Sequence, residues 1–115
     1  MREGPIVKKS LEFSVEIINY CDLLNSKRKF LLSNQLLKSG TSIGANVFEA
    51  QHSESRLDFI HKMKIALKEA NETFYWLTLC QKIEELSVQQ EILNSLNEIM
   101  AILSRIIITS RKNLN

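Results

Sequence analysis

Proline occurs once and glycine three times in this chain of 115 residues. So few turn formers exclude a collagen-like or low-complexity chain and argue against an all-β fold, which needs turn signals about every ten residues. Only two cysteines are present, Cys21 and Cys80, without the C-x-x-C spacing of a zinc or redox site. They read as reduced thiols among apolar neighbours. No stretch approaches ~18 uninterrupted apolar residues, and Met1-Arg2-Glu3-Gly4-Pro5 opens no apolar run of signal-peptide length. The expectation is a cytoplasmic protein with no membrane segment. A dominant charge is also lacking: fifteen Lys and Arg against thirteen Asp and Glu leave +2, too little to announce a nucleic-acid or membrane surface.

What is there favours helix, with 44% hydrophobic and 24% charged residues. A chain of this length has room for one domain that buries ~65% of its unfolded surface, so residues 1–115 are expected to form a single unit. In the first segment Leu11, Val15 and Ile18 run beside Phe13, Ile17, Tyr20 and Leu24, which together make one broad apolar face. Asn25-Ser26 offers an N-cap for a second segment carrying Phe30, Leu32, Leu36, Ile43, Val47 and Ala50. Lys27-Arg28-Lys29 at its start would oppose the helix dipole. Ser55 with Asp58 resembles a capping box ahead of the third stripe, Ile60, Met63, Leu67, Ala70, Phe74 and Leu77. Ser87 with Gln90 offers another ahead of Leu93, Leu96, Met100, Leu103 and Ile107. Helices are expected near residues 7–24, 27–51, 56–84 and 88–112, and the short connections favour an all-α, antiparallel up-down-up-down four-helix bundle.

Polar residues also keep helical spacing. Gln35, Ser39, Ser42, Asn46 and Glu49 share one face of the second segment, one position before its apolar stripe. The third segment has a matching row of Phe59, Lys62, Ala66, Glu69, Thr73, Trp76 and Cys80. Polar groups at such borders must satisfy one another, so Gln35, Ser39, Ser42, Asn46, Glu49, Lys62, Glu69 and Thr73 are expected to form a structural network between the two helices or across subunits.

The run Gln35-Leu36-Leu37-Lys38-Ser39-Gly40-Thr41-Ser42-Ile43-Gly44-Ala45-Asn46-Val47-Phe48-Glu49-Ala50, followed by Asp58-Phe59-Ile60 and by Glu72-Thr73-Phe74-Tyr75-Trp76-Leu77, resembles the four-helix bundle proteins also called S23, or 23S rRNA intervening-sequence, proteins. The resemblance covers nearly the whole chain. It implies a small bundle that assembles into a ring-like homo-oligomer, typically a pentamer. It also implies kinship with the accessory protein of diversity-generating retroelements, a pentameric barrel that binds a reverse transcriptase and nucleic acid. Most members have no established activity. Val47 stands where relatives usually have Ile, and Phe48 is bulkier than the residue expected beside it.

Chemistry-bearing motifs are weak. Gly40 to Gly44 lacks the G-K-[ST] of a phosphate loop and reads as a small patch where another backbone comes close. Glu49-Ala50-Gln51-His52 and Asp58-Phe59-Ile60-His61 have the acidic-x-x-His spacing of di-metal bundles. They straddle one short connection instead of facing each other mid-helix, so the metal-dependent enzyme is only the alternative reading, and no metal or cofactor is expected. No Cys or Ser has a His at an activating spacing, and no catalytic residue is assigned. The favoured reading is a non-enzymatic oligomeric scaffold. Its candidate nucleic-acid contacts are Lys27, Arg28, Lys29 and Lys38, and its candidate partners are RNA, DNA or a reverse transcriptase.

Overall fold

The computed structural model describes residues 4–114 and carries four helices: α1 (Pro5–Ser26), α2 (Phe30–Ala50), α3 (Arg56–Lys82) and α4 (Gln90–Lys112). Among the described residues there is no strand. Pro5 opens α1, where its fixed φ suits a helix and its missing N–H costs nothing. Ser55 Oγ accepts the Asp58 N–H at 3.0 Å and starts α3, while Asp58 Oδ2 accepts from the Glu54 N–H at 3.4 Å.

Two helix starts differ from the sequence expectation. The second helix begins at Phe30, because Arg28 sits in the left-handed region at φ 60° and breaks the helical path. Ser26 does not cap α2; its Oγ donates to the Leu23 carbonyl at 2.6 Å, serving the last turn of α1. Lys27 is the C-cap of α1, where a cation complements the helix dipole instead of opposing it. The α4 box is also absent: Gln89 is the N-cap and makes no side-chain bond, while Gln90 Nε2 donates to Asn94 Oδ1 at 3.0 Å.

Each helix packs against its sequence neighbours and α1 closes onto α4, with no close backbone approach across either diagonal among the described residues, giving a rod of 51 × 20 × 20 Å. The core is filled by Phe13, Ile17 and Leu24 from α1, Leu36, Ile43 and Val47 from α2, Met63 and Leu77 from α3, and Leu96, Ile99 and Leu103 from α4. By length and composition α4 could cross a bilayer, but its Ile92, Leu93, Leu96, Ile99, Leu103 and Ile107 are buried against the other helices. On α3 the buried row is Ile60, Met63, Ala66, Ala70, Thr73, Leu77 and Cys80, whereas Phe74 is 40% exposed. The helix is rotated toward α2, bringing Thr73 into the interior instead of the larger Phe74. On α1 only one of the two apolar stripes is used: Phe13, Ile17, Tyr20 and Leu24 are buried, and Leu11, Val15 and Ile18 are exposed.

The α1–α2 contact depends on two glycines. A Cβ on Gly40 would lie 2.8 Å from Ile17 Cγ2, and one on Gly44 3.2 Å from the Ser10 carbonyl oxygen. Ile17 has no exposed surface and therefore nowhere to retreat. Gly40→Ala should accordingly lower stability by about 1 kcal/mol in chemical denaturation, overpacking outweighing the better helix propensity of alanine. A variant as stable as the parent, or more so, would show that the helices can separate without loss.

Candidate nucleic-acid interface

The four cations singled out by sequence do not share one element. Lys27, Arg28 and Lys29 occupy the α1–α2 connection, whereas Lys38 lies on α2, about 13 Å farther along at 1.5 Å per residue. Lys29 Nζ sits 2.9 Å from Glu85 Oε1 in the α3–α4 connection. The Lys29 hydrogen bond and charge, with a smaller contribution from Lys27, hold the Glu85 carboxyl below the usual carboxylate range. Lys27, Arg28 and Lys38 are exposed.

The polar rows of α2 and α3 do adjoin. Thr73 Oγ1 donates to Ser39 Oγ at 2.9 Å and to the Glu69 carbonyl at 2.8 Å, its single proton serving one at a time, and both hydroxyls are buried. At the other end of the seam Lys62 Nζ lies 3.9 Å from Glu49 Oε1 and 3.8 Å from Asp58 Oδ1. Ser42 Oγ and Asn46 Nδ2 instead donate to carbonyls one turn back on α2, at 2.6 Å and 2.8 Å. The Gln35 side chain and the Glu69 carboxylate make no hydrogen bond or ion pair among the described residues.

His52 and His61 are exposed, and among the described residues no three His, Cys, Asp or Glu side chains gather as metal ligands would. Cys21 and Cys80 are buried, and burial pushes both thiols up, away from the reactive thiolate. Cys21 Sγ donates to the Ser33 carbonyl and Ser33 Oγ to the Cys21 carbonyl, each at 3.4 Å, tying α1 to α2. Tyr20 Oη is buried without a hydrogen-bond partner among the described residues; the Cys80 thiol lies beside it but not in bonding geometry, and burial drives the phenol pKa far up.

The outward side of α3 is chemically different. His61, Lys64, Lys68, Asn71, Tyr75 and Lys82 follow one another at steps of 3, 4, 3, 4 and 7, so they share a face, and all are exposed. Arg111 of α4 joins His61, Lys64, Leu57 and Leu114 around a shallow hollow of about 260 Å³. Lys64, Lys68, Lys82 and Arg111 have no ion-pair partner among the described residues. Of the acids of α3, Asp58 is beside Lys62, and Glu72, which borders the strip between Lys68 and Tyr75, accepts from Trp76 Nε1 at 3.2 Å through its Oε2. Tyr75 is 59% exposed, its ring edge-on to Trp76 at 5.0 Å and 74°. The result is a cationic strip with one exposed aromatic, spanning about 27 Å from Lys64 to Lys82 at 1.5 Å per residue. Sequence inspection missed it because the lysines are interleaved with Glu69 and Glu72; sorting them by helical face reveals it.

Residues 2–105 match the model of the 23S rRNA-intervening sequence protein family. The chain belongs to that family. Among solved structures it is similar to a protein of unknown function from the S23 ribosomal protein family of Bacteroides thetaiotaomicron VPI-5482, at 50% identity and a TM-score of 0.84, over 89% of this chain and 97% of the other. No curated protein matches it.

In this S23 family chain three carboxylates, Glu12 and Glu16 of α1 and Glu91 of α4, gather where those two helices meet. Burial, then the charges of Glu12 and Glu91, raise the Glu16 pKa. A carboxyl that holds its proton more tightly folded than unfolded weakens the fold when ionised, so the penalty is present above the raised folded pKa and fades as pH falls through it toward about 4.3. Glu16→Gln should therefore raise the melting temperature at about pH 7 and leave it unchanged near pH 4. An equal effect at both pH values would show that charge is not the cause.

Proposed function

We propose that the protein is a non-enzymatic, homo-oligomeric scaffold in the cytoplasm that binds the backbone of RNA or DNA through the outward face of α3. The observation that carries this reading is the strip of Lys64, Lys68 and Lys82 with exposed Tyr75, none of the three lysines held in an ion pair among the described residues. Phosphate contact needs cations aligned on one surface, and an exposed ring adds base stacking that is indifferent to sequence. Lys27, Arg28 and Lys38 supply further, more distant phosphate contacts, while Lys29 is engaged with Glu85. The bundle runs antiparallel, up-down-up-down. Supporting this order, numbers rise along one helix as they fall along its neighbour: Ser10 meets Gly44 and Cys21 meets Ser33, Ser39 meets Thr73 and Glu49 meets Lys62, and Lys9 meets Glu98 while Glu16 lies near Glu91.

Self-association is supported by the exposed apolar side chains of α1 and α2, among them Leu11, Val15, Phe30 and Leu31 at 52–75% exposure. A ring of five, the number the S23 resemblance implies, would carry about +10 and repeat each strip around one axis. Within it the α2–α3 residues Gln35, Ser39, Ser42, Asn46, Glu49, Lys62, Glu69 and Thr73 serve as structural polar groups, not as a reaction centre.

Gel-shift titrations of structured RNA and duplex DNA at about 50 and about 200 mM salt test the binding. Three phosphate contacts on duplex DNA predict an affinity loss of about 40-fold between these salts. The Lys64→Ala, Lys68→Ala, Lys82→Ala triple variant should bind less and with a flatter salt slope, losing more than the Lys27→Ala, Arg28→Ala, Lys29→Ala triple variant. No shift at low salt with about 50 µM protein, or an α3 triple variant that binds like the parent, would remove the nucleic-acid reading. It would leave a protein partner such as a reverse transcriptase to be sought by pull-down.

A further inference from the structure

The cationic strip of α3 ends in a hollow of different chemistry. Its first lysine, Lys64, lines the space of about 260 Å³ near the end of the rod, together with His61 one turn earlier and Arg111 from the last turn of α4. Three donors thus surround one small volume, whereas along the strip Lys64, Lys68 and Lys82 stand about 6 Å and then about 21 Å apart at 1.5 Å per residue. No carboxylate lines the hollow among the described residues. Asp58, the nearest acid along α3, lies 3.8 Å from Lys62 and accepts the Glu54 N–H. The rest of the lining is apolar: Ile60 is buried, but Leu57 and Leu114 are 66% and 43% exposed. A cation near the C-terminus of α4 complements that helix dipole, which is reason enough for the charge of Arg111. It gives no reason for two exposed leucines beside it.

Converging cations with an apolar lining suit an anion that carries an apolar body. A phosphodiester inside a strand holds a single negative charge, which one lysine offsets. A terminal phosphate monoester holds about −1.5 to −2 at pH 7 and offers three acceptor oxygens. We propose that this hollow is a site for the terminal phosphate monoester of a nucleic-acid strand whose backbone continues along Lys68 and Lys82. The inference rests on the phosphate-backbone reading proposed above and adds a preference for strand ends. Lys64 supplies a point charge, Arg111 a planar fork that grips two oxygens, and His61 a ring N–H in either protonation state. Leu57 and Leu114 pack on the sugar or base of the terminal nucleotide. The volume lies below the ~300 Å³ at which ordinary ligand pockets begin, so the guest is about one nucleotide, with the remainder of the strand outside on the strip.

One RNA sequence in four forms tests the site by fluorescence anisotropy at about 50 mM salt: with a 5′-phosphate, with a 3′-phosphate, with hydroxyls at both ends, and as a closed circle. At least one phosphorylated form should bind about tenfold more tightly than the hydroxyl form and the circle. Arg111→Ala and Leu57→Ser, both at exposed positions, should erase that ratio while the circle is bound nearly as by the parent, and Arg111→Lys should keep only part of it. Unchanged melting of the variants verifies the fold. Equal binding of all four forms, or an Arg111→Ala variant that keeps the ratio, would overturn the end site and leave the strip standing. Phosphatidic acid vesicles present the same monoester on a lipid, and tighter binding to them than to phosphorylated RNA would overturn the assignment to a strand end. No binding of any RNA form with about 50 µM protein would overturn the site together with the nucleic-acid reading on which it rests.

Discussion

The close approach of α1 to α2 is the constraint from which the rest of the molecule follows. With Gly40 against Ile17 and Gly44 against the Ser10 carbonyl, the two backbones lie nearer than ordinary side chains would allow. That proximity fixes which side of α1 turns inward: Ser10, Phe13, Ile17 and Cys21 are enclosed, and Leu11, Val15 and Ile18 are left outside. The reciprocal bonds between Cys21 and Ser33 hold the same contact near its other end. On the far flank of α2, Ser39 reaches Thr73, which orients α3 so that its lysines look outward. The cationic strip is thus a remote product of two missing side chains.

Much of the fold was legible because apolar spacing dominates it. Leu36, Ile43, Val47, Met63, Leu77, Leu96 and Leu103 stand in the core as their periodicity requires, and the Ser55 start of α3 follows from local chemistry. The ends that misled were those decided by backbone conformation. Nothing in Lys27-Arg28-Lys29 announces that Arg28 will take a left-handed φ, so the cations read as the opening of a helix when they belong to a connection. Phe74 misled for another reason: period alone cannot choose between two adjoining rows, and the smaller Thr73 goes inside beside Ser39.

The surface was less legible than the core. Consecutive cations catch the eye in a sequence, but one of the three is held by Glu85, whose position depends on the α3–α4 connection. Lysines separated by whole helical turns form the more continuous surface. The same principle governs the acids, for Glu12, Glu16 and Glu91 come from two helices and meet only in the folded bundle, where burial and the other two carboxylates oppose the ionisation of Glu16. Charge sums over the chain hide both surfaces because they cancel to +2.

The rod shape gives the cationic strip a footprint. Its span of about 27 Å along α3 corresponds to about eight base pairs at 3.4 Å each, so a duplex laid parallel to the bundle would be followed for most of a helical turn by one subunit. A groove-reading protein inserts a helix end and counts bases. Under the proposed function this chain would instead offer a straight edge whose reach is set by helix length, and the occluded site size would measure how subunits are arrayed, largely independent of the sequence beneath them.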